Sequence, residues 1–103
     1  MAEGRPSGGF TMDKIRKRFI FYGRVQGVGF RWRAHHAADS LHLTGWVSNL
    51  DDGSVMMELQ GTEAEIDRLL ISLRNDRYID IRSMDVKSLP TEEDERSFRV
   101  RGY

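Results

Sequence analysis

Gly23-Arg24-Val25-Gln26-Gly27-Val28-Gly29-Phe30-Arg31 stands where the hydrophobic period of the chain changes. Upstream, over residues 18–25, Phe19 and Phe21 alternate with Arg18, Ile20 and Tyr22, the pattern of a strand with one core face and one mixed face. Downstream, over Phe30–Leu41, the residues Phe30, Ala34, Ala37, Ala38 and Leu41 share one side at helical spacing, and the alanines let that helix approach a sheet closely. The stretch is therefore a glycine loop between a strand and a helix. The first N–H groups of a helix lack internal partners and the macrodipole is positive at that end, so such a junction suits an anion. Glycines accept positive φ and bring the backbone close to the anion. Arg31, in the first helical turn, can fold back and clamp two oxygens at once. A glycine pair after a strand also makes a plain turn, and the loop by itself does not separate the two readings.

The rest of the chain supplies a simple order of elements. Residues 43–50 read as a second strand with Trp46 and Val47 on opposite faces, Asp51-Asp52-Gly53 as a tight turn, and residues 54–60 as the returning strand of a hairpin. Thr62-Glu63-Ala64-Glu65 is a capping box, and the helix that it starts carries Ile66, Leu69, Leu70 and Leu73 on one stripe before Asn75-Asp76 ends it. Residues 79–89 form a fourth strand in which Ile79 and Ile81 share one parity and Met84 and Val86 the other; a bulge, or a loop before the strand proper, reconciles them. Residues 90–95 read as an acidic loop, and Phe98 and Val100 as a last short strand. Residues 1–13 have no period and read as a flexible N-terminal tail, leaving one domain over 14–103. The order β-α-β-β-α-β with a final strand predicts an α+β fold: an antiparallel sheet with two helices on one face.

Composition narrows the function classes. Lys plus Arg and Asp plus Glu each number 16, so the net charge is zero and no global field draws the protein to nucleic acid or an anionic membrane. An anion site has to be local. The chain has no cysteine, which excludes disulfides and thiolate metal ligands. No apolar run has the length of a membrane span and the N-terminus lacks the apolar core of a signal peptide, so a cytoplasmic location and no membrane association are expected.

Asn49 lies at the end of the second strand, beside the hairpin turn. Together, the 23–31 stretch, Gly45-Trp46-Val47-Ser48-Asn49 and Asp52-Gly53 closely resemble the acylphosphatase family, and the resemblance runs from about Lys17 to Tyr103. It implies a ferredoxin-like sandwich and hydrolysis of the carboxyl–phosphate bond of a small acyl phosphate, with no metal and no cofactor. On this resemblance Arg31 and Asn49 are the catalytic residues, and Gln26, Gly27, Val28, Gly29 and Phe30 form the backbone segment that binds the substrate phosphate. An amide such as Asn49 both donates and accepts, so it can orient a water but cannot act as a general base. A monomer is expected for so small a chain.

Other readings of the same residues are weaker. Gln26-Gly27-Val28-Gly29-Phe30 faintly imitates an RNA-recognition motif, but Val28 stands where a stacking aromatic is needed and Gln26 where a basic residue is needed. An inactive, phosphate-binding relative is the third reading, and the intact Arg31 and Asn49 argue against it. His35, His36 and His42 have no carboxylate or thiolate set to complete a metal site and read as surface residues. Lys14, Arg16, Lys17 and Arg18 read as a solvated strand entrance, Glu92–Glu95 as a solvated loop, and Arg24 and Arg33 as flanks of the glycine loop. Trp46, Met56 and Met57 read as sheet packing. Three positions depart from the family pattern: His42 where glycine is frequent, Met56 where glutamate is common, and Gly102 inserted before the terminal Tyr103.

Overall fold

Phe19 and Phe21 are fully buried and stack on each other with ring centroids 5.7 Å apart, and the sheet is built around them. In the computed structural model, which describes residues 13–102, they lie in the middle of β1 (Ile15–Arg24). The tail expected over 1–13 falls outside the described residues except for Asp13, as does Tyr103. The other elements follow as α1 (Phe30–Leu41), β2 (Thr44–Asn49), β3 (Val55–Gly61), α2 (Glu63–Arg74), β4 (Asp80–Leu89) and β5 (Phe98–Arg101).

The sheet order is β4-β1-β3-β2-β5. β1 pairs antiparallel with β3 on one side and β4 on the other, and β2 pairs antiparallel with β3. β1 and β2 are thus parallel, joined by α1 and separated by β3, which is a split βαβ unit. The expectation of a wholly antiparallel sheet needs one correction. β5 runs parallel to β2, from Gly45↔Phe98 to Ser48↔Arg101, because the loop after β4 carries the chain across the sheet before it turns in beside β2. The sheet is mixed, and the architecture is the α+β ferredoxin-like one.

One face of the sheet forms the core with both helices. Phe19 and Phe21 of β1, Val47 of β2 and Val55, Met57 and Leu59 of β3 meet Phe30, Ala34 and Ala38 of α1 and Ile66, Leu69 and Leu73 of α2. At roughly 1.5–3 kcal/mol for each large apolar side chain buried, this layer is the main source of stability. The α2 capping box is present: Thr62 Oγ1 accepts from the Glu65 N–H at 3.3 Å and Glu65 Oε1 accepts from the Thr62 N–H at 3.2 Å. The parity conflict in β4 resolves as a bulge, since Tyr22 pairs with Ser83 but Gly23 with Ile81, which leaves Arg82 extra.

The face opposite the helices holds charges that the sequence reading left in solvent. Arg16 is 3% exposed and Glu58 6%. The Arg16 Nε donates to Glu58 Oε1 at 2.9 Å, while its Nη1 and Nη2 donate to the two carboxylate oxygens of Glu95 at 2.7 and 3.1 Å. Arg18 Nε donates to the second Glu58 oxygen at 2.9 Å. Gln60 grips the same loop, donating to the Glu92 carbonyl at 2.9 Å and accepting from the Glu92 N–H at 2.7 Å. Within the basic run Arg16 is therefore buried and Arg18 ion-paired, while Lys14 stays exposed, and the acidic stretch is not a solvated loop throughout. Arg16, Arg18, Glu58 and Gln60 lie opposite the core side of β1 and β3, and Glu95 closes over them.

Burial works against the charged form of Glu58, but the hydrogen bonds from Arg16 and Arg18 outweigh it and hold its pKa below the usual carboxylate range. A depressed folded-state pKa contributes stability that is complete above the unfolded value and fades as pH falls through the folded one. Glu58→Gln should cost about 2–4 kcal/mol at pH 7, because it leaves a buried guanidinium short of its partner. The loss should shrink below about pH 4, as urea melts across pH would show. A second expectation concerns His42, which caps α1 in the left-handed region at φ 60° and ψ 34°. His42→Gly removes that strain and should raise stability by about 0.5–1 kcal/mol, read as a melting point a few degrees higher.

Candidate active site

Gly27 and Gly29 have φ of 74° and 82°, in the region that favours glycine, and Gly29 is the N-cap of α1. These turns end β1, bring the chain back over its own end and aim the first turn of α1 at the loop. No side chain caps that terminus and its first turn holds no acidic residue. The glycine N-cap thus offers the leading N–H groups no side chain, and no acid of the first turn meets the positive end of the helix dipole, so the end suits an external anion. Val25 and Phe30 are buried on either side of the loop and fix it to the core.

Gln26 supplies a contact that the sequence reading did not foresee. Its side-chain Nε2 donates to the carbonyls of Leu50 at 2.7 Å and Ser54 at 2.8 Å, the two ends of the β2–β3 turn. The turn is closed by Leu50 N–H to Ser54 O at 2.9 Å and Gly53 N–H to Leu50 O at 3.2 Å. Asp52 Oδ1 accepts from both the N–H and the hydroxyl of Ser54, and these bonds hold the Asp52 carboxyl below its ordinary pKa. Gln26 thus joins the glycine loop to the hairpin that carries Asn49. Only the position of the hairpin, two strands away, could have signalled this role.

The result is one cleft of about 200 Å³ lined by Val25, Gly27, Gly29, Phe30, Arg31, Trp32 and Asn49. It brings together Arg31 and Asn49, which are 18 positions apart, with the loop backbone between them. Asn49 is half-buried at the end of β2. Arg31 is half-buried, and its Nη1 donates to the Arg101 carbonyl at 3.3 Å, so the end of β5 steadies the guanidinium. Gln26 and Val28 are not among the lining residues: the Gln26 side chain serves the hairpin, and Val28 packs partly on the core. Arg33 departs from the reading as a flank of the loop. It points along the helix to Asp76, with Nη2 to Oδ2 at 2.7 Å, and ties α1 to the end of α2. Among the described residues no three of His, Cys, Asp and Glu come together to hold a metal ion. The arrangement offers an anion cradle, a cation and a neutral donor–acceptor amide in one concave place.

Comparison with known proteins points to one family. The family model described as Acylphosphatase matches residues 17–100. A protein named acylphosphatase from Clostridium perfringens is 42% identical over 85 residues, covering 82% of this chain and 96% of the relative. One from Geobacillus kaustophilus is 40% identical over 86 residues, covering 82% and 92%. The crystal structure of acylphosphatase from Bacillus subtilis aligns with a TM-score of 0.78 and 31% identity, covering 85% of this chain and 99% of that one.

The Gln26 bridge has a measurable consequence. Gln26→Ala should cost about 1–2 kcal/mol for two hydrogen bonds. In hydrogen exchange the amides of Leu50 and Gly53 should open faster, whereas those of Ile66 and Leu69 in α2 should change only as much as global stability requires.

Proposed function

The chain belongs to the acylphosphatase family, and on that premise we propose that Arg31, the backbone of residues 26–30 and Asn49 carry out the hydrolysis of a small acyl phosphate. The observation that supports this most is the shared cleft: an uncapped helix N-terminus, an arginine and an asparagine amide line one cavity. The phosphoryl oxygens sit on the loop N–H groups and on the Arg31 guanidinium. Asn49 holds a water in line with the P–O bond to the acyl carboxylate. The water oxygen bonds to phosphorus, that P–O bond breaks, the carboxylate leaves with the bonding pair, and a substrate phosphate oxygen takes the water's proton.

The magnitudes fit the groups available. The carboxylate of a mixed anhydride is a good leaving group, so no strong acid or base is required. Positioning and charge stabilisation supply the acceleration, as they do in phosphoryl transfer generally. Donors fixed in place before the reaction need no reorganisation as charge builds up. The same proposal has the domain of residues 14–103 act as a cytoplasmic monomer on a small-molecule substrate. It needs no metal, cofactor, nucleic acid or membrane, and the segment 1–13 lies outside the domain.

The test is turnover of benzoyl phosphate by wild type, Arg31→Ala and Asn49→Ala. Each substitution should lower kcat/KM by on the order of 10²–10³, with the larger loss at Arg31, and each variant should keep its far-UV circular dichroism. Chelation with EDTA should leave wild-type turnover unchanged. Near wild-type rates in both folded variants would remove Arg31 and Asn49 from the mechanism.

A further inference from the structure

Trp32, Ile71, Tyr78, Val86 and Val100 are the large apolar side chains left exposed among the described residues. Of these, Trp32 alone lines the cleft that contains Arg31 and Asn49. It is 59% exposed and takes no part in the core cluster, so packing does not account for it. Nor is the ring loosely held. It stacks on His36, one helical turn further on, with centroids 4.3 Å apart and planes 23° from parallel, and the Arg33 guanidinium carbon lies 5.6 Å from its centroid. Arg33 is itself fixed by Asp76. A broad aromatic surface is thus held ready at the mouth of an anion cradle.

The other walls of the cleft leave little for an acyl group to rest on. Gly27 and Gly29 have no side chain, Val25 and Phe30 are turned into the core, and Arg31 and Asn49 are polar. With the phosphoryl group seated on the loop, the acyl group has to lie along the remaining apolar wall, which is Trp32. Resting on the reading of the site given above, we propose that Trp32 is the acyl-group platform and the specificity-determining residue, and that it favours acyl phosphates whose acyl group is aromatic or broad and apolar. A rigid indole loses little conformational entropy on contact, and aromatic pairs gain beyond their buried area. The acyl group rests on the indole before and during reaction, so the contact acts as uniform binding and is felt in KM.

The experiment compares benzoyl phosphate with acetyl phosphate for wild type, Trp32→Ala and Trp32→Phe. The ratio of the two kcat/KM values should fall roughly tenfold in Trp32→Ala, through the KM for benzoyl phosphate, and Trp32→Phe should restore most of it. A binding measurement stands apart from turnover. The chain has two tryptophans, so in a Trp46→Phe background the emission reports Trp32 alone. Benzylphosphonate should shift that emission, and saturating methylphosphonate should shift it far less. An unchanged ratio in Trp32→Ala would overturn the proposal, as would emission insensitive to benzylphosphonate at concentrations that inhibit. Retained turnover in Arg31→Ala and Asn49→Ala would instead count against the mechanism, and the emission result would still decide the role of Trp32.

Discussion

The side-chain amide of Gln26 spans a gap that the strand order creates. β1 and β2 run parallel but are not neighbours; β3 lies between them, so their C-terminal ends are two strand spacings apart, roughly 10 Å. The glycine loop leaves the end of one strand and Asn49 sits at the end of the other. Without a fixed link, each half of the site would move with its own turn. Gln26 provides that link with one nitrogen and two carbonyls, at the point where β3 begins. The core holds the sheet and helices together, while this short bridge ties the glycine loop to the hairpin that carries the Asn49 amide.

Charge is arranged to the same end. The formal total is zero, and among the described residues no carboxylate lines the cleft. Glu58 and Glu95 are taken up by Arg16 and Arg18 on the far face of the sheet, and Asp76 by Arg33 at the end of α2. The first turn of α1 has no acidic residue. Of the residues that line the cleft only Arg31 is charged, and solvent screening limits its field to close range.

Much of this was legible from period and punctuation. The bounds of α1 follow from the alanine face and the glycine loop, the capping box marks the start of α2, and the broken parity of β4 announces a bulge that is found at Arg82. Arg31 and Asn49 were legible as a pair through the family resemblance, and the fold brings both to one cleft. What remained hidden depends on contacts distant in sequence. Arg16 and Glu95 are 79 positions apart, and each looked like part of a solvated run because local composition says nothing about which loop covers which face. The parallel placement of β5 depends on the path of the preceding loop, and the role of the Gln26 side chain on a turn 24 residues away. Arg33 looked close to the loop in sequence, but its helical direction carries it to α2.

The bulge in β4 also bears on how the molecule behaves when crowded against copies of itself. An open sheet has two edges, and each offers unpaired backbone groups to any strand that approaches. At one edge, the extra residue Arg82 breaks the even repeat of β4, and Asp85 and Lys87 add charges along the same strand. At the other, β5 is only four residues long, carries Arg99 and Arg101, and is followed by Gly102 at φ 84°. Neither edge is a long, flat, apolar template. The irregularity that spoils the pattern of β4 thereby guards against edge-to-edge aggregation, in a protein whose own sheet is completed by its shortest strand.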